Sequence, residues 1–139
     1  MTFPRHDGRR CLELGIPGPS RERLVSLVLS GSKRATAGLL SEYADEDEQV
    51  ETVGEEQWLL GPDGSPVALV RFTRVEIVPF DDVTWEFAQA EGEGFVDLDD
   101  WRAQHLGFWS RWYGVPVEDP AFPVLSDTPV VCCWFDVVG

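Results

Sequence analysis

A single lysine marks the stretch of this sequence whose residue types best suit chemistry. Lys33 is the only lysine among 11 basic residues, and all the others are arginine. An ammonium group can lose its proton when it is desolvated, whereas a guanidinium group cannot. Thr36 follows three residues later and supplies a hydroxyl. A lysine beside a hydroxyl is typical of a nucleophile with its activator, and a solvated loop lysine is the alternative reading of the same residues.

A carboxylate for the same site is offered by the glycine-flanked run 91–94. Glu91 opens this run, and Glu93 is the neighbouring candidate. An ammonium near a carboxylate keeps both groups ionised, and a change of partner on substrate binding can bring either group into acid–base use. Lys33, Thr36 and Glu91 together are the minimum set for hydrolysing an amide or an ester. A solvated acid at a helix end is the alternative for Glu91.

Other catalytic templates are absent from the sequence. His6 and His105 are the only histidines, and they do not have zinc spacing. Neither a glycine-rich phosphate loop nor a GxSxG elbow occurs. The acidic run Ser41–Glu51 is interpreted as a solvated loop, because it lacks histidine and the spacing of a calcium loop. We therefore assign no metal ligand.

The elements around Lys33 are predicted to bring its side chain toward Thr36. Helical spacing predicts a helix over Arg21–Ser30, capped by Ser20 and ended by Gly31. A first strand is predicted over Ala35–Leu40. The change from turn to strand allows the two side chains to converge.

The remainder of the chain predicts an α+β domain. Gln57–Leu60 and Val67–Ile77 form a hairpin about a Gly-Pro-Asp-Gly turn. Thr84 and Asp97 are the predicted caps of two helices. The apolar run Val130–Val138 is predicted to be a buried strand that closes a sheet or barrel.

Composition limits the kinds of partner. The 139 residues predict one domain, 1–139, in which residues 1–19 form a loosely ordered arm. A net charge of −14 disfavours an extended double-stranded nucleic acid and favours a neutral or singly charged small molecule, or a short RNA. Three cysteines without a disulfide pattern, and the absence of a signal peptide or a membrane-spanning run, favour a cytoplasmic protein.

Two motifs resemble a known family. Gly31-Ser-Lys-Arg-Ala-Thr36 is similar to the GxKxxT motif of ASCH domains. The segment from Val78 to Gly94, followed by Asp100-Trp-Arg-Ala-Gln-His105, resembles the PFDEV, EGEG and WR..H pattern of bacterial stand-alone ASCH proteins. The likeness extends over about residues 12–138. It implies a small mixed β-barrel of PUA type with helices packed outside and a cleft across one face.

The resemblance also implies a function. ASCH domains are expected to bind RNA or nucleosides, and some small bacterial members hydrolyse N(4)-acetylcytidine with a lysine, a threonine and a glutamate. Lys33, Thr36 and Glu91 match these three by motif. Two alternatives stay open: a non-catalytic RNA-binding module, and a metal-stimulated ribonuclease that acts on short RNA with a divalent ion as cofactor.

Five further residues are candidates for substrate contact. Trp101 and His105 follow the glycine-flanked carboxylate and are candidates for a pocket wall. Trp101 or Tyr43 would stack on the base. Arg34 or Arg71 would meet a phosphate if the substrate were a nucleotide.

Overall fold

The fold is a mixed sheet with helices on both faces. The computed structural model describes residues 3–139. In chain order its elements are β1 (Arg5–His6), β2 (Arg9–Leu12), α1 (Pro19–Leu29), β3 (Ala35–Leu39), α2 (Leu40–Asp45), β4 (Glu56–Leu60), β5 (Pro66–Pro79), a 3₁₀ turn (Phe80–Asp82), α3 (Trp85–Glu91), α4 (Leu98–Tyr113) and β6 (Pro129–Val137).

The six strands lie in the order β1-β2-β4-β5-β6-β3. All neighbours are antiparallel except β2 and β4. Strands β1 and β3 are therefore edges, and the sheet is not closed. The α+β class and the mixed sheet are confirmed, whereas the predicted barrel is not.

The core lies on both faces of the sheet, and β6 contributes to both because it alternates. Cys132 faces a cluster that holds Trp101 and Trp109 of α4. Cys133 faces a second cluster that holds Val25 and Val28 of α1. The nearly all-apolar sequence of this strand, interrupted only by Asp136, follows from burial on both faces.

Three segments differ from their predicted form. Residues 5–12, predicted to belong to a loose arm, form β1 and β2, and β2 pairs with β4; Met1 and Thr2 lie outside the described residues. Helix α1 begins at Pro19 after Gly18, so Ser20 is not its cap, since proline suits the first helical position. The acidic run begins as helix α2 rather than as a loop, with Glu42 bonded to the Leu39 amide at its start.

Within residues 3–139, none of the helices is both long and apolar enough to span a bilayer. The three cysteines are free and buried.

Candidate functional site

The two sequence motifs are joined directly through their backbones. Helix α1 ends so that the Lys33 amide donates to the Leu27 carbonyl, and the next amide, that of Arg34, donates to Ala90 at the end of α3. Gly92 follows with a φ of 64°, and a Cβ placed on it would lie 1.8 Å from the Ser32 carbonyl oxygen. Only glycine fits there, because any side chain would collide with backbone. The first glycine after Glu91 thus sets the approach of the acid to the lysine turn.

Lys33 is held inside the protein by three acceptors. Its Nζ donates to Glu93 Oε2 at 2.7 Å, to the Ala35 carbonyl at 2.8 Å and to Glu91 Oε2 at 3.1 Å. The residue is 2% exposed. Burial lowers the pKa of the amine, but the two carboxylates outweigh that effect and raise it above the usual value. The side chain is therefore an ammonium at neutral pH.

Glu91 is surrounded by donors. Besides Lys33, its Oε1 accepts from Trp101 Nε1 at 2.6 Å and lies 3.2 Å from His105 Nε2. Burial raises the pKa of this carboxyl, yet Lys33 and His105 oppose it, and the net direction is downward. Glu91 stays ionised and has little freedom to accept a further proton.

His105 is the second basic side chain beside Glu91. Its ring stacks on Trp101 with centroids 4.0 Å apart. Its Nδ1 lies 2.9 Å from the Trp101 carbonyl, and its Nε2 faces Glu91. A carbonyl and a carboxylate both accept, so hydrogen bonding on both sides requires a proton on each ring nitrogen. Burial lowers the pKa of His105, and Glu91 more than compensates, so the pKa is raised.

Thr36 shares a cavity with this cluster. The cavity has a volume of about 730 Å³ and is lined by Lys33, Thr36, Glu91, Glu93 and His105, among others. Its volume falls in the usual range for small-molecule sites, roughly 300–1,000 Å³. Thr36 is half-buried on β3 and is not among the three partners of Lys33 Nζ. Thr36 and Lys33 therefore line the same cavity, and the Thr36 hydroxyl is not bonded to the ammonium.

A second polar group lines the same cavity. Glu51 Oε1 accepts from the Tyr43 hydroxyl at 2.7 Å, and Glu51 Oε2 accepts from Gln57 Nε2 at 2.9 Å. Gln57 Nε2 also donates to Glu55 at 2.9 Å. Glu51 and Gln57 are 8% and 1% exposed. Neither residue is predicted from the sequence, because Glu51 ends an acidic run that resembles a solvated loop and Gln57 has no motif around it.

Five of the eight predicted site residues line the cavity: Lys33, Thr36, Tyr43, Glu91 and His105. The other three do not. Trp101 is wholly buried between Phe80 and His105, so neither face of its ring is open for a base. Its indole instead fixes Glu91. Arg34 is exposed beside a separate small hollow, and Arg71 is exposed on β5 and pairs with Glu56.

The cavity is acidic. Seven of its lining side chains are carboxylates and five are basic: Glu13, Glu42, Asp45, Glu46, Glu51, Glu91 and Glu93 against Arg21, Arg23, Lys33, His105 and Arg111. Among residues 3–139, no set of three or more acidic, histidine or cysteine side chains is arranged to hold a metal ion. A neutral or cationic ligand suits these walls better than a phosphate.

Comparison with known proteins gives one family. A model of the ASCH domain matches residues 13–139. A crystal structure of a protein from Enterococcus faecalis V583 is 35% identical, with a TM-score of 0.76, and the alignment covers 91% of this chain and 74% of that one. The ASCH domain from Lactobacillus crispatus JV V101 is 27% identical, with a TM-score of 0.74, over 91% of this chain and 77% of that one. No curated protein matches significantly.

Proposed function

The chain belongs to the ASCH domain family, which is associated with RNA, and on that premise we propose that its cavity hydrolyses the amide of an uncharged acylated nucleoside of the N(4)-acetylcytidine type. The observation that carries the proposal is the buried ammonium of Lys33, held by Glu91 and Glu93 at the wall of a cavity that Thr36 also lines. A desolvated cation beside a hydroxyl and a carboxylate suits acyl transfer.

The charge of Lys33 selects its role. A raised pKa keeps the amine protonated, so it does not accept the proton of the attacking hydroxyl. It stabilises, through its charge, the negative oxygen that forms when the amide carbonyl is attacked, since its three N–H groups already bond Ala35, Glu91 and Glu93. A buried cation is effective there because the surrounding dielectric is low and little water competes.

Glu91 and Glu93 have different proposed roles, one in positioning the amine and the other in proton transfer. Glu91 is 2% exposed and already faces Lys33, Trp101 and His105, so it positions the amine. The Glu93 side chain is 16% exposed and bonds Lys33 through one oxygen only. We assign proton transfer to Glu93, since its other oxygen is not used by Lys33.

The proposed reaction has two halves. Thr36 Oγ attacks the acyl carbon and passes its proton to Glu93, and when the C–N bond breaks that proton goes to the amine of cytidine. Water then attacks the acyl-Thr36 ester and gives a proton to Glu93. The ester C–O bond breaks, the carboxylic acid leaves, and the proton returns to Thr36. No oxidant, reductant or metal enters this balance.

An uncharged substrate is favoured because most basic side chains of the protein already pair with carboxylates. Eight of the 11 basic residues form ion pairs within residues 3–139, and the others are Arg23, Arg34 and Arg111. RNA binding depends on cations that are available to phosphates. A surface whose arginines already face carboxylates, on a chain of net charge −14, offers few of them.

The test is an assay of N(4)-acetylcytidine hydrolysis that measures the release of cytidine. Thr36→Val keeps the shape of the side chain and removes the hydroxyl, so we expect kcat to fall at least about 1,000-fold. Thr36→Ser should retain activity, and mass spectrometry of quenched enzyme should find the acyl group on residue 36. Thr73→Val, at an exposed strand position, is the matched control. If the Thr36→Val variant hydrolysed the substrate as fast as wild type, Thr36 would be excluded as the nucleophile.

The RNA-binding alternative makes a different prediction about salt. A phosphate-binding module should lose affinity for RNA steeply between 50 and 200 mM salt, on the order of 10³-fold or more for six or more phosphate contacts. Hydrolysis of a neutral nucleoside should change little over the same range. If tight, salt-sensitive RNA binding accompanied an absence of hydrolysis, the binding module would be the better description.

A further inference from the structure

We propose that the polar group formed by Tyr43, Glu51 and Gln57, here called the carboxylate end, binds the vicinal hydroxyls of the ligand's sugar. This inference rests on the proposed function, because it names the part of the nucleoside that lies away from the reacting amide. It adds a recognition site to a cavity whose catalytic group lies around Lys33.

The sheet places this end within reach of Thr36. Thr36 on β3 pairs directly with Cys133 on β6, so the two side chains lie on the same face. Cys133 Sγ is 3.8 Å from Glu51 Oε1. Cross-strand neighbours are about 5 Å apart, which puts the Glu51 carboxylate within roughly 10 Å of Thr36. A single nucleoside can bridge that span.

The donors of the carboxylate end are already used. The Tyr43 hydroxyl donates to Glu51, and both hydrogens of the Gln57 amide go to carboxylates, one on Glu51 and one on Glu55. The two carboxylate contacts also fix the orientation of the amide, because its oxygen cannot donate. Burial, with Glu51 next, raises the pKa of Tyr43, so its phenol remains protonated.

The groups left for a ligand are therefore acceptors. They are the carboxylate of Glu51, the Gln57 amide oxygen and the lone pairs of the Tyr43 hydroxyl. A ligand must bring donors to them. Ribose hydroxyls are neutral donors in adjacent pairs, whereas a phosphate brings negative charge and no hydrogens. The carboxylate end thus fits a nucleoside diol and disfavours a phosphorylated sugar.

Binding of unreactive nucleosides tests the inference apart from catalysis. We expect cytidine to bind wild type about 10- to 100-fold more tightly than 2′,3′-dideoxycytidine by calorimetry, the usual worth of hydrogen bonds to a charged group. Glu51→Gln and the milder Tyr43→Phe should reduce that ratio. Tyr113→Phe is the control, because Tyr113 is the only other tyrosine and bonds Glu42 instead.

The outcomes separate the two proposals. A cytidine preference that disappears in Glu51→Gln and Tyr43→Phe, but persists in Tyr113→Phe, supports diol binding whether or not amides are hydrolysed. Equal affinity of wild type for cytidine and its dideoxy analogue overturns diol binding, even if N(4)-acetylcytidine is cleaved. Equal hydrolysis of N(4)-acetylcytosine and N(4)-acetylcytidine, with equal kcat/KM, overturns it as well and leaves the proposed function intact.

Discussion

Replacement of Lys33 by methionine tests whether the ammonium is held in a dry ion cluster. Lys33 is 2% exposed, and its amine makes three hydrogen bonds of 2.7–3.1 Å, two of them to carboxylates. Methionine fills similar space without charge, so Glu91 and Glu93 would face each other without their shared cation. Removing one partner of a buried pair typically costs about 3–5 kcal/mol. We expect a loss of that size in the free energy of unfolding at pH 7.5.

The loss should depend on pH in a defined direction. In wild type the pKa of Glu91 is lowered, so its stabilising effect is present above its unfolded value of 4.5 and is lost only as pH falls through the lower folded value. Without Lys33, burial is opposed chiefly by His105, and the pKa of Glu91 should rise. Folding of the variant then takes up a proton, and the difference from wild type should shrink from pH 7.5 to pH 5.

Urea denaturation at pH 7.5 and pH 5 measures the loss of unfolding free energy in Lys33→Met. Arg71→Met removes an exposed ion pair with Glu56 and should cost at most about 1 kcal/mol, without that pH dependence. Lys33→Met combined with Glu93→Gln should recover part of the loss, because one of the two facing charges is gone. If Lys33→Met behaved like Arg71→Met at pH 7.5, the ammonium would not be desolvated and the proposed electrostatic role would fail.

Two further predictions concern the groups that hold the cluster. Gly92→Ala should destabilise the protein by at least about 2 kcal/mol more than Gly94→Ala in denaturation, because both glycines have positive φ but only Gly92 meets backbone; equal losses would refute backbone contact as the cause. The raised pKa of His105 means that its stabilising effect is complete below its unfolded value of 6.5 and is lost as pH rises through the higher folded value. The excess stability of wild type over His105→Gln should therefore fall with rising pH, and an NMR titration of His105 should move to lower pKa in Glu91→Gln.

The sequence by itself determined the family, the α+β class and the candidate residues around Lys33, among them Glu91 and His105. Lys33 was identifiable because it is the only lysine, and Glu91 because it opens the run Glu-Gly-Glu-Gly. The hairpin and most helix ends were predictable, since turns and caps depend on local residue chemistry: Thr84 and Asp97 do cap α3 and α4. These are signals carried by neighbours in the chain.

Tertiary structure alone decided which side chains contact one another and whether the titratable ones are protonated. Local sequence gave no reason to join Glu51 to Tyr43 and Gln57, or to turn Trp101 inward as a donor to Glu91. Strand β2 was missed because its partner β4 lies more than 40 residues away, although the Asp7-Gly8 turn that joins β1 to β2 is a local hairpin signal. The charge of a buried side chain also depends on tertiary contacts. The pKa of a buried amine depends on which carboxylates the fold packs against it, and that packing involves residues almost 60 positions apart.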